Sequence, residues 1–455
     1  MNMNNFGEKI AFYRIRLLFL GAFLALLGAV LPVQAEIFDG NQLYVATDGN
    51  DNVTRADNNI NKPWRTIAKA VELAQAGDVV NYRAGTYTLT SNIDPFGSIG
   101  NDGTASNRIV HTNYMNESVQ FRDGGFRFFI NHNYWTFSGI DVASSGRFLT
   151  TNDTRKGNNI IFEKGNYSQS TFGGGANHAP IVMVGGGNGG GDSSNNTVRN
   201  IRFTGPGESG NPNTALVMIF GSRGVKIYNN EFSNSPYCVY YKHPGVTYDT
   251  GIEIYNNYCH DSERGIGSAF IYANVHDNLL VNAGISIGIA SGYTPDSGSG
   301  EHGGDDNTFR HNTIHNGSIH IKYEGDEALR NIIKDNILSS TTSIYTWESS
   351  NPAHNVTMAN NLYLPGNVTQ EYSSFYDLPG WRSKNGGDVN SIQGAPTYIS
   401  GSPSSISDYE LAAGSLGKNA ASDGKDMGAD ISLVGTGFLG LARPKSPSQI
   451  TPTKL

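Results

Sequence analysis

Six short runs in the second half of the chain repeat one pattern: a β-forming apolar residue, a turn-forming pair that ends in Asn, and a return to apolar residues. They centre on Asn230, Asn257, Asn278, Asn312, Asn336 and Asn361, as in Ile227-Tyr228-Asn229-Asn230-Glu231-Phe232 and Ile254-Tyr255-Asn256-Asn257-Tyr258-Cys259. Successive members lie 27, 21, 34, 24 and 25 residues apart, and less regular copies run from Trp135 to Val142 and from Val198 to Phe203. A period of this size with variable insertions is the mark of a solenoid, in which each unit covers its apolar face only by stacking on the next. Each coil then consists of two or three short strands whose alternate side chains point into a shared core. The Asn falls at a corner that tolerates left-handed backbone, and its amide can hydrogen-bond to the amide above and below. A propeller expects longer blades of about 40–45 residues, and a sandwich gives no reason for a fixed Asn register.

Composition agrees. Of 455 residues, 56 are Gly and 49 Asn, and only 16% are charged. Gly and Asn at this density disfavour long helices. The expected fold is therefore all-β: a single-stranded right-handed parallel β-helix with an N-terminal capping helix.

Residues 1–35 read as a signal peptide. Lys9, Arg14 and Arg16 precede an uncharged apolar run from Leu17 to Leu31, and Val33-Gln34-Ala35 offers a small-residue cleavage site. That run is shorter than the ~20 residues a membrane span needs. Its removal takes away a net +2, so a formal charge of −8 becomes about −10. The expectation is a secreted or periplasmic monomer, with no membrane attachment after cleavage and no nucleic-acid partner. A β-helix domain fills 36–435, with 43–89 as cap and first coil, and 436–455 forms a C-terminal tail. Export permits a disulfide, but Cys238 and Cys259 could equally be two buried small hydrophobes.

Both ends carry a resemblance. Tyr44-Val45-Ala46-Thr47-Asp48-Gly49-Asn50-Asp51, Lys62-Pro63-Trp64-Arg65-Thr66-Ile67 and Arg83-Ala84-Gly85-Thr86-Tyr87 resemble the amino-terminal unit of secreted pectate-lyase-like β-helix proteins. Asn360-Asn361-Leu362-Tyr363, Trp381, Gly387-Asp388-Val389-Asn390 and Met427-Gly428-Ala429 resemble their carboxy-terminal pattern. The resemblance implies the fold and an acidic polysaccharide as partner. Activity has to be argued from a site, because one architecture hosts many chemistries.

Two clusters could carry that chemistry. In the first, Tyr240-Tyr241-Lys242-His243 is followed by His260-Asp261-Ser262-Glu263-Arg264. A Lys and an Arg 22 residues apart on neighbouring coils resemble the pair in β-helix alginate lyases and chondroitinases. There the Lys acts as base and the Arg as acid or charge stabiliser. That resemblance implies β-elimination at a uronic acid, with Lys242 as base, Arg264 assisting and His243 as a second candidate. Tyr240, Tyr241 and His260 are the expected substrate-binding residues. The departures are an Arg that falls early in its coil and the lack of an acidic calcium motif just before Lys242.

In the second cluster, Glu301, Asp305 and Asp306 follow a Gly/Ser-rich insertion. Their oxygens suit Ca²⁺, the one candidate cofactor. The same carboxylates are the alternative route, a glycoside hydrolase with paired acids. A non-catalytic carbohydrate-binding surface protein is the remaining class.

Overall fold

The computed structural model describes residues 38–435. It leaves out the internal segments 152–156, 173–176, 186–192, 209–212, 244–250, 288–303, 323–329 and 348–355 and the single positions 269, 305, 341, 372 and 386. The expected signal segment and the C-terminal tail lie outside the described residues.

Among the described residues the coils lay their strands into three sheets of 12, 12 and 11 strands, and a full coil contributes one strand to each. The coil that begins at Lys226 shows the plan: Lys226–Tyr228 joins the first sheet, Glu231–Ser233 the second and Tyr237–His243 the third. Within these sheets the pairings are parallel, except where Asn367–Glu371 meets Ser374–Tyr376 at the last coil. The expected parallel β-helix is therefore observed.

The inward columns run unbroken from coil to coil. The first sheet stacks Val198, Ile227, Ile254, Val275, Phe309 and Ile333. The second stacks Phe203, Phe232, Cys259, Leu280, Ile314 and Leu338. The third stacks Val217, Val239, Ile266, Ile285, Ile319 and Ile344. All belong to one buried cluster.

The corner between first and second sheets carries the Asn ladder. Asn230, Asn257, Asn278, Asn312 and Asn336 each donate from Nδ2 to Oδ1 of the next member, ending on Asn361, at 3.0–3.1 Å. The same oxygens accept the backbone N–H of the preceding Asn. The remaining amide proton goes to a carbonyl one coil back, as from Asn278 to Ile254 at 2.8 Å. All six side chains are fully buried. One detail differs from expectation: the left-handed conformation belongs to the residue before the ladder Asn. Asn229, Asn256, Asp277, His311, Asp335 and Asn360 have φ between 49° and 59°. Two neighbours thus share the corner, one turning the chain and one satisfying its buried amides.

Both ends of the core are closed. Helix α1 (Ile67–Leu73), capped by the Thr66 hydroxyl, turns Ile67, Ala70 and Val71 into the first coil. Helix α2 (Leu378–Asn385) buries Leu378 and Trp381 at the other end. Beyond it the chain doubles back across the outside of the second sheet. Leu411 and Met427 pack on Ile337 and Leu362, and Tyr409 and Val434 pack on Leu279. This strap is pinned by Ala429 N–H to Thr313 and Gly428 N–H to the Asp335 carbonyl.

Cys238 and Cys259 form a disulfide across the core between the third and second sheets, closing a separation of 21 residues. Sequence left the bridge open because their pairing depends on coil register. Replacing both with serine should cost about 3 kcal/mol, the loop-closure scale for this separation. A lowered denaturation midpoint for the double variant is the check, and an unchanged midpoint contradicts it.

Candidate functional site

With the strap across the second sheet, the outer face of the third sheet is the place to look for a groove. The long internal segments 244–250, 288–303, 323–329 and 348–355 all leave from the ends of third-sheet strands. Strand alternation sets what this face displays. Val239 and Tyr241, Ile285 and Ile287, and Ile319 and Ile321 point into the core. Tyr240, Ser286 and His320 between them therefore face outward, in register with Gly267.

Arg264 stands at the entry to the Gly265–Ser268 strand, and its N–H donates to the Pro236 carbonyl of the preceding coil. Its guanidinium lies over the Tyr237 ring, 5.5 Å from the centroid, with Nη1 3.3 Å from the Tyr237 hydroxyl and Nε 3.4 Å from Glu263. Burial works against its charge, but the Tyr237 hydroxyl and Glu263 outweigh burial and raise its pKa. Arg264 is a permanent cation that keeps about a third of its side chain exposed. Gly265 makes this approach possible: its φ is +62°, and a Cβ there would sit 2.1 Å from the Gly284 carbonyl oxygen.

Beside Arg264 opens a cleft of about 450 Å³. Ser262, Ala283, Gly284, Gly317, Ser318 and His320 line it. Asn282 and Asn316 line a rim on which Asn316 donates to Asn282 at 2.7 Å and Asn282 to Asp261 at 3.1 Å. Glu208 and Glu263 complete the polar lining. His320 is held below the usual histidine range, first by burial and then by the positive charge of Arg264. Its imidazole is therefore neutral at neutral pH.

The sequence-derived candidates fare unequally. Lys242 and His243 lie at the end of the Tyr237–His243 strand, in the same sheet as Arg264. Their side chains are outside the described residues. The two cations do not sit side by side, however. Tyr237 pairs with Gly265 and Tyr241 with Ser268, so Arg264 and Lys242 stand five residue steps apart, about 16 Å along the strands. The cause is the unequal distance of each from its own corner Asn. Lys242 is also the extra residue of a bulge, because Ile219 pairs with Tyr241 and Phe220 with His243. Bulges recur beside active sites, where they re-aim a side chain.

Tyr241 is a correction: it is fully buried inside the coil, where no sugar reaches it. Tyr240 faces outward but is only 2% exposed, stacked on Tyr237 at 4.3 Å, so it backs the site without offering a ring face. His260 is another correction. It lies on the second sheet, with Nδ1 2.8 Å from Asp261 and Nε2 3.5 Å from Glu231. Burial opposes its charge, but these two carboxylates prevail and raise its pKa. It is tethered to the second sheet by its carboxylate partners and does not line the cleft.

Glu301 and Asp305 fall outside the described residues. Asp306 commits both oxygens to Arg330, at 2.7 and 2.6 Å. That pairing does not fit a calcium ligand, and among the described residues no three His, Cys, Asp or Glu side chains are grouped to hold a metal ion. His320 was missed. Its signal was an Ile-His-Ile run stacked on Ile-Ser-Ile and Ile-Gly, a polar position that alternation forces outward.

Residues 43–202 match the family model of a Pel9A-like, right-handed β-helix region. The match ends before Tyr237, so it covers the scaffold and not the site. A pectate lyase, PEL9, of Emericella nidulans is 40% identical over 97 residues, 21% of this chain and 20% of that protein. The uncharacterized protein YwoF of Bacillus subtilis is 38% identical over 80 residues, 18% of this chain and 15% of its own. The chain thus matches a fifth or less of the length of these relatives. Among solved structures, pectate lyase Pel9A aligns over 86% of this chain and 96% of its own at 15% identity and a TM-score of 0.48. A rhamnogalacturonan lyase aligns over 88% and 99% at 16% identity and a TM-score of 0.49.

Proposed function

Starting from a parallel β-helix whose residues 43–202 are Pel9A-like, we propose that this protein is a secreted, monomeric polysaccharide lyase acting on a uronate-containing polysaccharide of the pectate or alginate type. The observation that supports this most is Arg264, an unremovable positive charge beside a polar cleft at the turns that lead from the second sheet into the third. β-Elimination needs such a charge, because loss of the C5 proton places negative charge on the adjacent carboxylate system. Arg264 binds the uronate carboxylate. Lys242, at the other end of the neighbouring strand, takes the C5 proton, with His243 beside it as the second candidate. The sugar lies between the two side chains, and Arg264 reaches over Tyr237 to help close the roughly 16 Å between their backbones. The C5–H and C4–O4 bonds break, a C4=C5 double bond forms, and Lys242 passes the proton taken from C5 to the departing O4, which returns the amine to its starting state.

A hydrolase through the Glu301, Asp305 and Asp306 cluster has less support, since Asp306 is already engaged by Arg330. The test uses the mature protein with pectate, alginate and glycosaminoglycans, reading absorbance of the unsaturated uronide. Lys242→Ala should lower the rate about 10²–10⁴-fold, the usual worth of a general base. An unchanged rate in that variant removes Lys242 from the mechanism.

A further inference from the structure

The corner between the second and third sheets carries a second column of side chains, on the outside of the coil. Asn316 donates from Nδ2 to Asn282 at 2.7 Å, and Asn282 donates from Nδ2 to Asp261 at 3.1 Å, on successive coils. All three hold left-handed backbone, with φ of 54°, 50° and 51°. Unlike the buried ladder, this column is not locked by the main chain. The N–H groups of Asp261, Asn282 and Asn316 go to the carbonyls of Val281, His315 and Ser339, not to side-chain oxygens. A carboxamide donates at one end and accepts at the other, so the two amides alone could run either way.

Asp261 removes that choice. Burial opposes its charge, but His260 and Asn282 prevail and hold it below the usual carboxylate range. An ionised carboxylate only accepts, so Asn282 must turn its Nδ2 toward it, and Asn316 must then turn its Nδ2 toward Asn282. The rim accordingly runs opposite to the interior. The buried ladder donates toward the C-terminal coils, from Asn230 to Asn257 and finally from Asn336 to Asn361, and the rim donates toward the N-terminal ones. His260 fixes the carboxylate, with Nδ1 2.8 Å from Oδ2. Among the described residues the column thus ends on Asn316 Oδ1, an acceptor on an exposed residue that lines the cleft. An acceptor there suits a hydroxyl, which can donate, and leaves the carboxylate, which cannot, to Arg264.

We propose that Asp261 is a positioning residue that fixes the polarity of the Asn282–Asn316 rim, so that Asn316 Oδ1 receives a ring hydroxyl of the bound uronate chain. The proposal rests on the lyase reading for its choice of a polyuronate as substrate.

The experiment uses whichever of polygalacturonate and alginate the protein cuts, together with its O-acetylated form, in which ring hydroxyls no longer donate. Asp261→Asn lets His260 keep the side-chain oxygen and turns an N–H toward Asn282, which reverses the column. Asn316→Gly removes its end. Each should raise KM about three- to tenfold, the worth of one hydrogen bond, with kcat within about twofold and a native melting curve. The double variant should be no worse than Asn316→Gly alone, because Asp261 acts through Asn316. Acetylation should raise KM in the wild type more than in Asn316→Gly, by the same three- to tenfold or so. Additive losses in the double variant, an unchanged KM in either single variant, or equal sensitivity to acetylation overturns the proposal. If no polymer yields unsaturated product, the lyase reading fails, and retardation of the same proteins by polygalacturonate and alginate in affinity electrophoresis takes the place of KM. The same pattern across the variants then upholds the rim, and no retardation or a different pattern overturns it.

Discussion

Replacing Arg264 with alanine should lower unsaturated-product formation about 10²–10³-fold, the range for removing one donor aimed at developing negative charge. The fold should survive, because the guanidinium lies at the surface against Tyr237 and Glu263 and fills no core position. Arg264→Lys should recover only part of the loss. Lysine restores a point charge but not the planar fork that grips a carboxylate bidentately. The effect should fall mainly on kcat, since the anchoring charge matters most as the carbanion forms. Full activity in Arg264→Ala, with a native melting curve, would remove this residue from the chemistry and leave the cleft without its cation.

The second large effect concerns the scaffold. Asn278→Ala removes an amide that receives the Asn257 N–H, receives Asn257 Nδ2 and donates to the Ile254 carbonyl. The chain around it is fully buried, so two backbone groups lose their partners and no water replaces them. At about 1–3 kcal/mol for each orphaned group, the loss should be about 4 kcal/mol, large for a single substitution. Asn316→Gly is the matched control, since the φ of +54° there would strain an alanine. Asn316 also donates to an Asn one coil away, but on the exposed rim, where water can substitute. It should change stability by no more than about 0.5 kcal/mol. Chemical denaturation of the two variants separates the cases, and equal shifts would contradict the ladder as a buried support.

The parallel β-helix was legible because its code is local and repeated: one Asn per coil, flanked by apolar residues that alternate. Even there the sequence blurred two roles, since Asn229 and Asn230 are the same residue type doing different work. What depends on relations between coils was harder to read. The Cys238–Cys259 bridge follows from strands of two different sheets turning inward at the same level. Sequence placed Lys242 and Arg264 on neighbouring coils with the Arg early in its own, and only the strand register turns that offset into about 16 Å along the strands. Tyr241 looked like a sugar platform because an aromatic run does not announce which member faces in, and the bulged strand shifts that parity. His320 was readable by column, but only once the third-sheet register was known. The strap was not legible, because residues 393–435 carry no period and their partners lie up to 179 residues away, as where the Gly435 N–H donates to the Asn256 carbonyl.

One assay bears on the central claim more directly than any variant. The wild-type protein is incubated with uronate-containing polysaccharides, and new reducing ends and new C4=C5 double bonds are counted in the same sample. Elimination at a uronate makes one of each per cut, so the two counts should rise together. Reducing ends without unsaturation would mean that water, not C5 deprotonation, breaks the bond, and would contradict the role given to Arg264.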